Sequence, residues 1–416
     1  MGSVGRRTHV LIVAGLLVAA LAFPGWAAPG DPDTAFGRRG KVTTNFTSRD
    51  DMVFETSIQA DGKIVAAGTA GFQAFALTRY RRDGTVDPSF GDAGKIVTSF
   101  APGITVDYGV AIQPDGRIVA AGSAHDENQF ALARYNADGA LDPSFDGDGK
   151  VTATFTDDHD FALDVAIQSD GRIVAAGTGS FAQFGVMRFD ADGSLDGSFG
   201  EAGKVLTDLT GGLDVAFAVA IQDDGKIVAA GRAAGAGGRF ALVRYKGDGT
   251  LDGTFGEDGV VTTNFTRGHD AVRDVLIQAD GRIVAAGRAR GAAGRFALAR
   301  YRSDGTPDPT FGRGGKVLTD FSPGLDLALG LAIQTNGRIV AAGHAGGPNH
   351  SFAVARYLAN GRLDRSFADG GKETVDFTPG DDFARDVAIQ RDGKIVMGGR
   401  SNRAGGSFAL ARLEAR

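Results

Sequence analysis

Apolar residues come in short bursts along this chain, and the bursts repeat. The stretch IQADGKIVAAG begins at Ile58, and its isoleucine returns at Ile112, Ile167, Ile221, Ile277, Ile333 and Ile389, with spacings of 54 to 56 residues. Self-similarity at such a period marks a solenoid or a propeller. Each of the seven copies reads as four short strands separated by turn residues. Strand A ends in the VAIQ-like segment. An Asp-Gly pair, Asp61-Gly62 in the first copy, predicts a tight hairpin into strand B, KIVAAG, because glycine tolerates positive φ. Strand C is FALARY-like, and a connection of the form DGxLDxSFGxxG leads to strand D, KVTTNF-like. Apolar runs rich in Val and Ile, together with 64 glycines, disfavour helix.

The copies are offset. The D-x-x-F connection occurs at Asp33, ahead of the first strand A, and then six times between copies, from Asp87 to Asp364. A strand D therefore precedes the first A, and the last copy holds A, B and C alone. An open solenoid has no use for this arrangement, whereas a ring does, because pairing the two ends removes an exposed strand edge. The expectation is an all-β, seven-bladed β-propeller over residues 28–416, with four antiparallel strands per blade. It is closed by pairing the N-terminal strand (Gly40 to Phe46) with the C-terminal blade (Phe408 to Leu413). Side-chain size agrees. Strand B gives Ala-Ala-Gly where blades converge, and Phe falls in C, in the connection and at the end of D, where blades diverge.

Residues 1–27 add a destination. Arg6 and Arg7 start a segment with an apolar run from Val10 to Phe23, and Gly25 and Ala27 are small residues placed for cleavage. The reading is a signal peptide and a secreted or periplasmic chain with no stable membrane insertion afterwards, since the run falls short of the roughly 20 residues a bilayer needs. With no cysteine in the chain, disulfides and thiolate chemistry are excluded. The net charge of −6 argues against nucleic acid as a partner. No signal points to self-association, so a monomer is expected.

Seven copies also act as an internal control. A residue common to all blades serves the blade, and a ligand site belongs where copies differ. The strand C arginine (Arg79 in the first copy) recurs in every blade and is expected to pair with the connection aspartate, Asp87 in that copy. Antiparallel strands place D-to-A and B-to-C loops on one face, and this face varies. There stand Asp160, Asp214, Asp270, Asp326 and Asp382, each seven residues before a strand A isoleucine, and three residues before others stand Asp164, Asp274 and Asp386. With strand A innermost, these carboxylates converge on the channel mouth and suit a hard divalent cation such as calcium, although no cofactor is required. The competing reading is that the first group caps its own turns. His159 and His269 next to Asp160 and Asp270 are a weaker metal candidate. The longer B-to-C loops of the later blades carry Arg232, Arg239, Arg288, Arg290, Arg295, His344, His350, Arg400 and Arg403, an arc suited to an anionic ligand.

The unit DVAIQSDGRIVAAG, followed by FGVMRFDADGSLDGSFGEAGKV, resembles the delta-60 repeat family over nearly the whole chain after the leader. That resemblance implies propeller-like tandem repeats in exported bacterial proteins, with no shared reaction and no catalytic residues to carry over. The functional expectation is an exported, non-catalytic propeller that binds a protein or a small anionic ligand through the variable face. The alternatives are a metal-assisted hydrolase or lactonase at the channel mouth, and a structural surface component.

Overall fold

A computed structural model describes residues 27–100, 105–124, 128–156, 159–180, 182–235, 237–291, 293–402 and 405–415. The expected leader before Ala27 lies outside these residues, as do His125 and Arg403. Seven four-stranded antiparallel sheets make up the described structure. In the first blade the strands are A, Asp51–Ile58; B, Ile64–Ala70; C, Ala74–Tyr80; and D, Lys95–Thr98. The seventh blade takes its D strand, Lys41–Thr44, from the other end of the chain, and Val42 lies opposite Leu410. Strands A are innermost, and each touches its two neighbours all the way round, the last against the first.

The A-to-B turn differs in detail from a two-residue hairpin. Gly62 N–H donates to the Gln59 carbonyl and Gln59 N–H to that of Lys63, with positive φ at Gly62 and not at Asp61. The turn thus needs one left-handed residue. Asp61 instead accepts the Lys63 N–H at 3.0 Å.

The core lies between blades. Each of seven clusters mixes two neighbours; the closing one sets Phe36, Val53 and Ile64 against Val396, Phe408 and Leu410. Fully buried rings such as Phe75, Phe90 and Tyr80 occupy the wide outer part, each contributing about 1.5–3 kcal/mol. The strand C arginines staple the ring. Arg79 Nε donates to Asp87 at 2.9 Å, its Nη1 reaches the Ala137 carbonyl of the next blade at 2.5 Å, and its guanidinium lies 4.5 Å over Phe90. At the closure Arg412 Nε donates to Asp33 at 2.7 Å and Nη1 to the Arg82 carbonyl. Burial alone would raise these carboxyls, yet in the third blade bonds from Ser198 and the charge of Arg188 hold Asp196 at about 2. The arginine recurs because each interface needs the same clamp.

Candidate functional site

Every strand A contains a β-bulge at the same place. Pairing with strand B skips Phe54, Tyr108, Leu163, Phe217, Arg273, Leu329 and Arg385. A bulge re-aims its extra residue, and these seven side chains turn toward the axis to line a central cavity of about 210 Å3. The bulge also explains the glycine of Ala-Ala-Gly: a Cβ on Gly68 would collide with the Met52 carbonyl beside it. The sequence suggested small residues from convergence of the blades, and the bulge supplies the stricter reason.

Just below stands a tier of carboxylates, Glu55, Asp164, Asp274 and Asp386, in the same cavity wall. They alternate with Gly109, Ala218 and Gly330 around the ring. Each bulge leaves an N–H without a ladder partner, and the acids take these up. Asp164 accepts Val165 N–H of its own blade and Val219 N–H of the next, both at 2.7 Å. Asp274 accepts those of Val275 at 2.6 Å and Leu331 at 2.5 Å. Asp386 serves Val387 and Thr56, with the Thr56 hydroxyl adding a third donor at 2.8 Å. Seven is odd, so one N–H remains, that of Val110; the longer Glu55 reaches it at 2.5 Å. Burial raises all four carboxyls. Repulsion from the other acids takes Glu55 and Asp274 well above the usual range, and Asp164 is pushed up to about 7.

On the loop side the sign reverses. Arg273 and Arg385 rise from the bulges, with guanidinium carbons 3.9 Å over Phe217 and 5.4 Å over Phe54. Protein surrounds both arginines, and the surface they keep faces the channel. Burial, with Arg288, Arg385 and Arg232 adding repulsion, lowers Arg273 to about 9; burial and Arg400 lower Arg385. Among the described residues Arg273, Arg288 and Arg385 make no hydrogen bond or ion pair, and the Nε atoms of Arg232 and Arg400 are also buried without an acceptor. A buried donor without an acceptor costs about 1–3 kcal/mol, more when charged. Five such Nε atoms on one arc set these arginines apart from the strand C arginines, whose Nε atoms donate to the connection aspartates.

The expected residues divide accordingly. Arg232 and Arg288 join the cluster, the former also donating to the Leu213 carbonyl at 3.2 Å. Arg400 sits at its edge and pairs with Asp50 at 2.7 Å. His344 is buried beside Phe383 and His350, and burial with nearby Arg385 lowers it to about 3, a neutral ring. His350 Nδ1 lies 3.0 Å from Asp381. Arg239 and Arg290 are exposed, and Arg295 points outward to Asp320 at 3.4 Å. Asp160, Asp214, Asp270, Asp326 and Asp382 are fully buried and tie the D-to-A turn to the B-to-C loop of their own blade. Asp214, for example, accepts N–H from Leu209 at 2.8 Å, Thr210 at 3.1 Å and Ala234 at 2.6 Å. Among the described residues no three acid or imidazole groups are gathered as ligands for a metal ion. His159 and His269 are exposed. The sequence reading missed Arg273, Arg385 and the Phe54, Tyr108 and Phe217 wall; a signal existed, since the position four before each strand A isoleucine holds arginine in two copies and an apolar or aromatic residue in five.

No curated protein matches the chain. Among the many solved structures similar to the chain, two illustrate the shared architecture. A streptogramin B lyase is 10% identical, with a TM-score of 0.53, over 89% of this chain and 97% of that one. A hydrazine synthase chain from Kuenenia stuttgartiensis is 14% identical, with a TM-score of 0.56, over 88% and 98%. Identities this low speak for the fold alone. No helix among the described residues is long and apolar enough to cross a membrane. Residues 59–90, 113–145, 168–199, 222–255, 278–311 and 334–367 match a family model described as "Domain of unknown function (DUF5122) beta-propeller". Each match runs from the A-to-B turn to the connection phenylalanine, a sequence order that the seventh blade lacks because its connection comes from the N-terminus, so six segments of this seven-bladed ring are similar to the described propeller repeat.

Proposed function

We propose that this protein is an exported, non-catalytic binding propeller that captures a small anionic ligand at the loop-side mouth of its central channel. The observation that carries this reading is the set of half-buried arginines, Arg273, Arg288 and Arg385, whose Nε atoms are buried and which have no acceptor among the described residues. Stability alone would select apolar residues at the bulge positions, as in Leu163 and Leu329, so the arginines are retained for a charge that arrives from outside. Guanidinium edges suit carboxylate or phosphate oxygens, and the rings over which Arg273 and Arg385 lie hold them in place. Export is supported by the leader pattern of residues 1–27 and by the resemblance to delta-60 repeats. A non-catalytic role is supported by the four central acids, each committed to backbone N–H groups.

The test is thermal denaturation of the mature chain with phosphate, acetate or sulfate, run beside an Arg273→Gln/Arg385→Gln double variant. An anion at 100 times its dissociation constant adds about 2.7 kcal/mol. General salt effects act on both proteins, so the expected result is a stabilisation that the double variant lacks. Equal responses from the two proteins refute the reading.

A further inference from the structure

The cavity holds two tiers of opposite sign that do not neutralise each other. Arg273 and Asp274 are adjacent in sequence, yet the bulge sends the arginine up toward Arg288 and the aspartate sideways to the Leu331 N–H. Among the described residues no ion pair links Arg273 or Arg385 to Glu55, Asp164, Asp274 or Asp386, although all six line one cavity. The guanidinium groups lack acceptors. The carboxylates each spend lone pairs on backbone donors, and a carboxylate offers about four acceptor sites in all. The other five bulge side chains, Phe54, Tyr108, Leu163, Phe217 and Leu329, make an apolar belt in the same wall.

We propose that the ligand is a small zwitterion with an apolar body, its anionic group held by Arg273 and Arg385 and its ammonium group by the carboxylate tier. The inference rests on the anion-binding reading above and deepens it. A bare anion entering this cavity satisfies the guanidinium groups and leaves four acids, held toward their neutral forms by burial, without a cation. A dipolar molecule brings an ammonium group that favours the ionised carboxylates, so its binding releases protons from the tier. The volume of about 210 Å3 corresponds to about seven water-sized groups at roughly 30 Å3 each, the scale of an amino acid. The other charged and titratable groups around the tiers are Arg232, Arg288, Arg400, His344, His350, Tyr108, Asp270 and Asp381; among the described residues the four acids are the only anionic side chains lining the cavity itself.

The test is calorimetric titration of the mature chain with three matched probes. These are L-leucine; 4-methylpentanoate, which lacks the ammonium group; and 3-methylbutylamine, which lacks the carboxylate. Running each in two buffers of different ionisation enthalpy counts the protons exchanged. Leucine is expected to bind at least tenfold more tightly than either partner, with net proton release. Glu55→Gln, which keeps an oxygen for the Val110 N–H, is expected to weaken leucine about tenfold and to leave 4-methylpentanoate unchanged or tighter. Asp274→Asn is expected to weaken leucine likewise; should it fail to fold, the Glu55 variant still decides the matter. If 4-methylpentanoate binds as tightly as leucine, the zwitterion is overturned and the anion reading stands. If the amine binds most tightly, or if phosphate binds and leucine does not, the zwitterion is likewise overturned. Silence from leucine, 4-methylpentanoate and phosphate alike overturns both readings.

Discussion

Replacing Asp33 with alanine probes the ring closure. Asp33 is 2% exposed and accepts from Arg412 Nε at 2.7 Å and from Lys394 Nζ at 2.7 Å, so the variant leaves a buried guanidinium uncompensated. Breaking such a pair costs about 3–5 kcal/mol. Asp196 has the same environment in the third blade, with Arg188 at 2.6 Å and Arg172 at 3.1 Å, and Asp196→Ala should cost a similar amount. The consequences differ because of chain connectivity. Asp196 lies between strands C and D of one continuous blade. Asp33 belongs to a terminal segment held by its four-residue ladder, by buried Phe36 and by a few bonds such as Glu414 N–H to the Asp31 carbonyl. Phe36 contributes about 1.5–3 kcal/mol and each bond about 1 kcal/mol, so losing the ion pair removes a large share of what holds this segment. Hydrogen exchange read by mass spectrometry should show amides of residues 41–44 exchanging about two to three orders of magnitude faster in Asp33→Ala, at 1.4 kcal/mol per decade. In Asp196→Ala the same amides should keep their native protection. Equal protection of this strand in the two variants would refute the idea that the closure is a separately releasable clasp.

Three further outcomes follow from the central tiers. Asp164 binds its proton more tightly folded, at about 7 against an ordinary 3.8, so its stabilisation is present below about 4 and is lost as pH rises through 7. At about 1.4 kcal/mol per unit this amounts to no more than about 4 kcal/mol. Neutral His344, held at about 3 against an ordinary 6.5, works in the opposite direction, so the comparison is with Asp164→Asn. From pH 5 to 8 the parent should lose stability relative to that variant; a constant difference contradicts the assignment. Arg273→Met extends the apolar belt and removes an unmatched cation, so the ligand-free variant should gain about 0.5–2 kcal/mol in urea denaturation while losing the anion response. Gly330→Ala places a Cβ 2.7 Å from the Asp386 Cα and 2.8 Å from the Val387 N at an interface with no spare room. It should cost about 1–3 kcal/mol, and a neutral result would show that the sixth and seventh blades can separate.

The fold was legible because its signals are periodic. Seven copies, an offset connection and Ala-Ala-Gly against phenylalanine are consequences of a ring whose blades converge inward, and each is written once per blade. The strand C arginine was read correctly for the same reason: its partners Asp87 and Asp33 stand in equivalent connections. The site was legible only in part. Asp164, Asp274 and Asp386 were expected at the channel and do line it. Their commitment to bulge N–H groups was hidden, because a bulge adds a residue without breaking the apolar pattern around it. Arg273 and Arg385 were passed over inside strands that read as core. The loop arginines looked alike in sequence, but Arg232, Arg288 and Arg400 follow the strand B glycine, whereas Arg290 and Arg295 sit farther along the loop and stay in solvent. Which of them turns inward depends on the register of strand B against the bulged strand A.

The most direct measurement is a high-resolution crystal structure of the mature chain grown with acetate or phosphate. The account expects an anion bridging Arg273 and Arg385, with neither guanidinium touching Asp274 or Glu55. Guanidinium groups turned down into direct ion pairs with those carboxylates, and only water at the mouth, would contradict it.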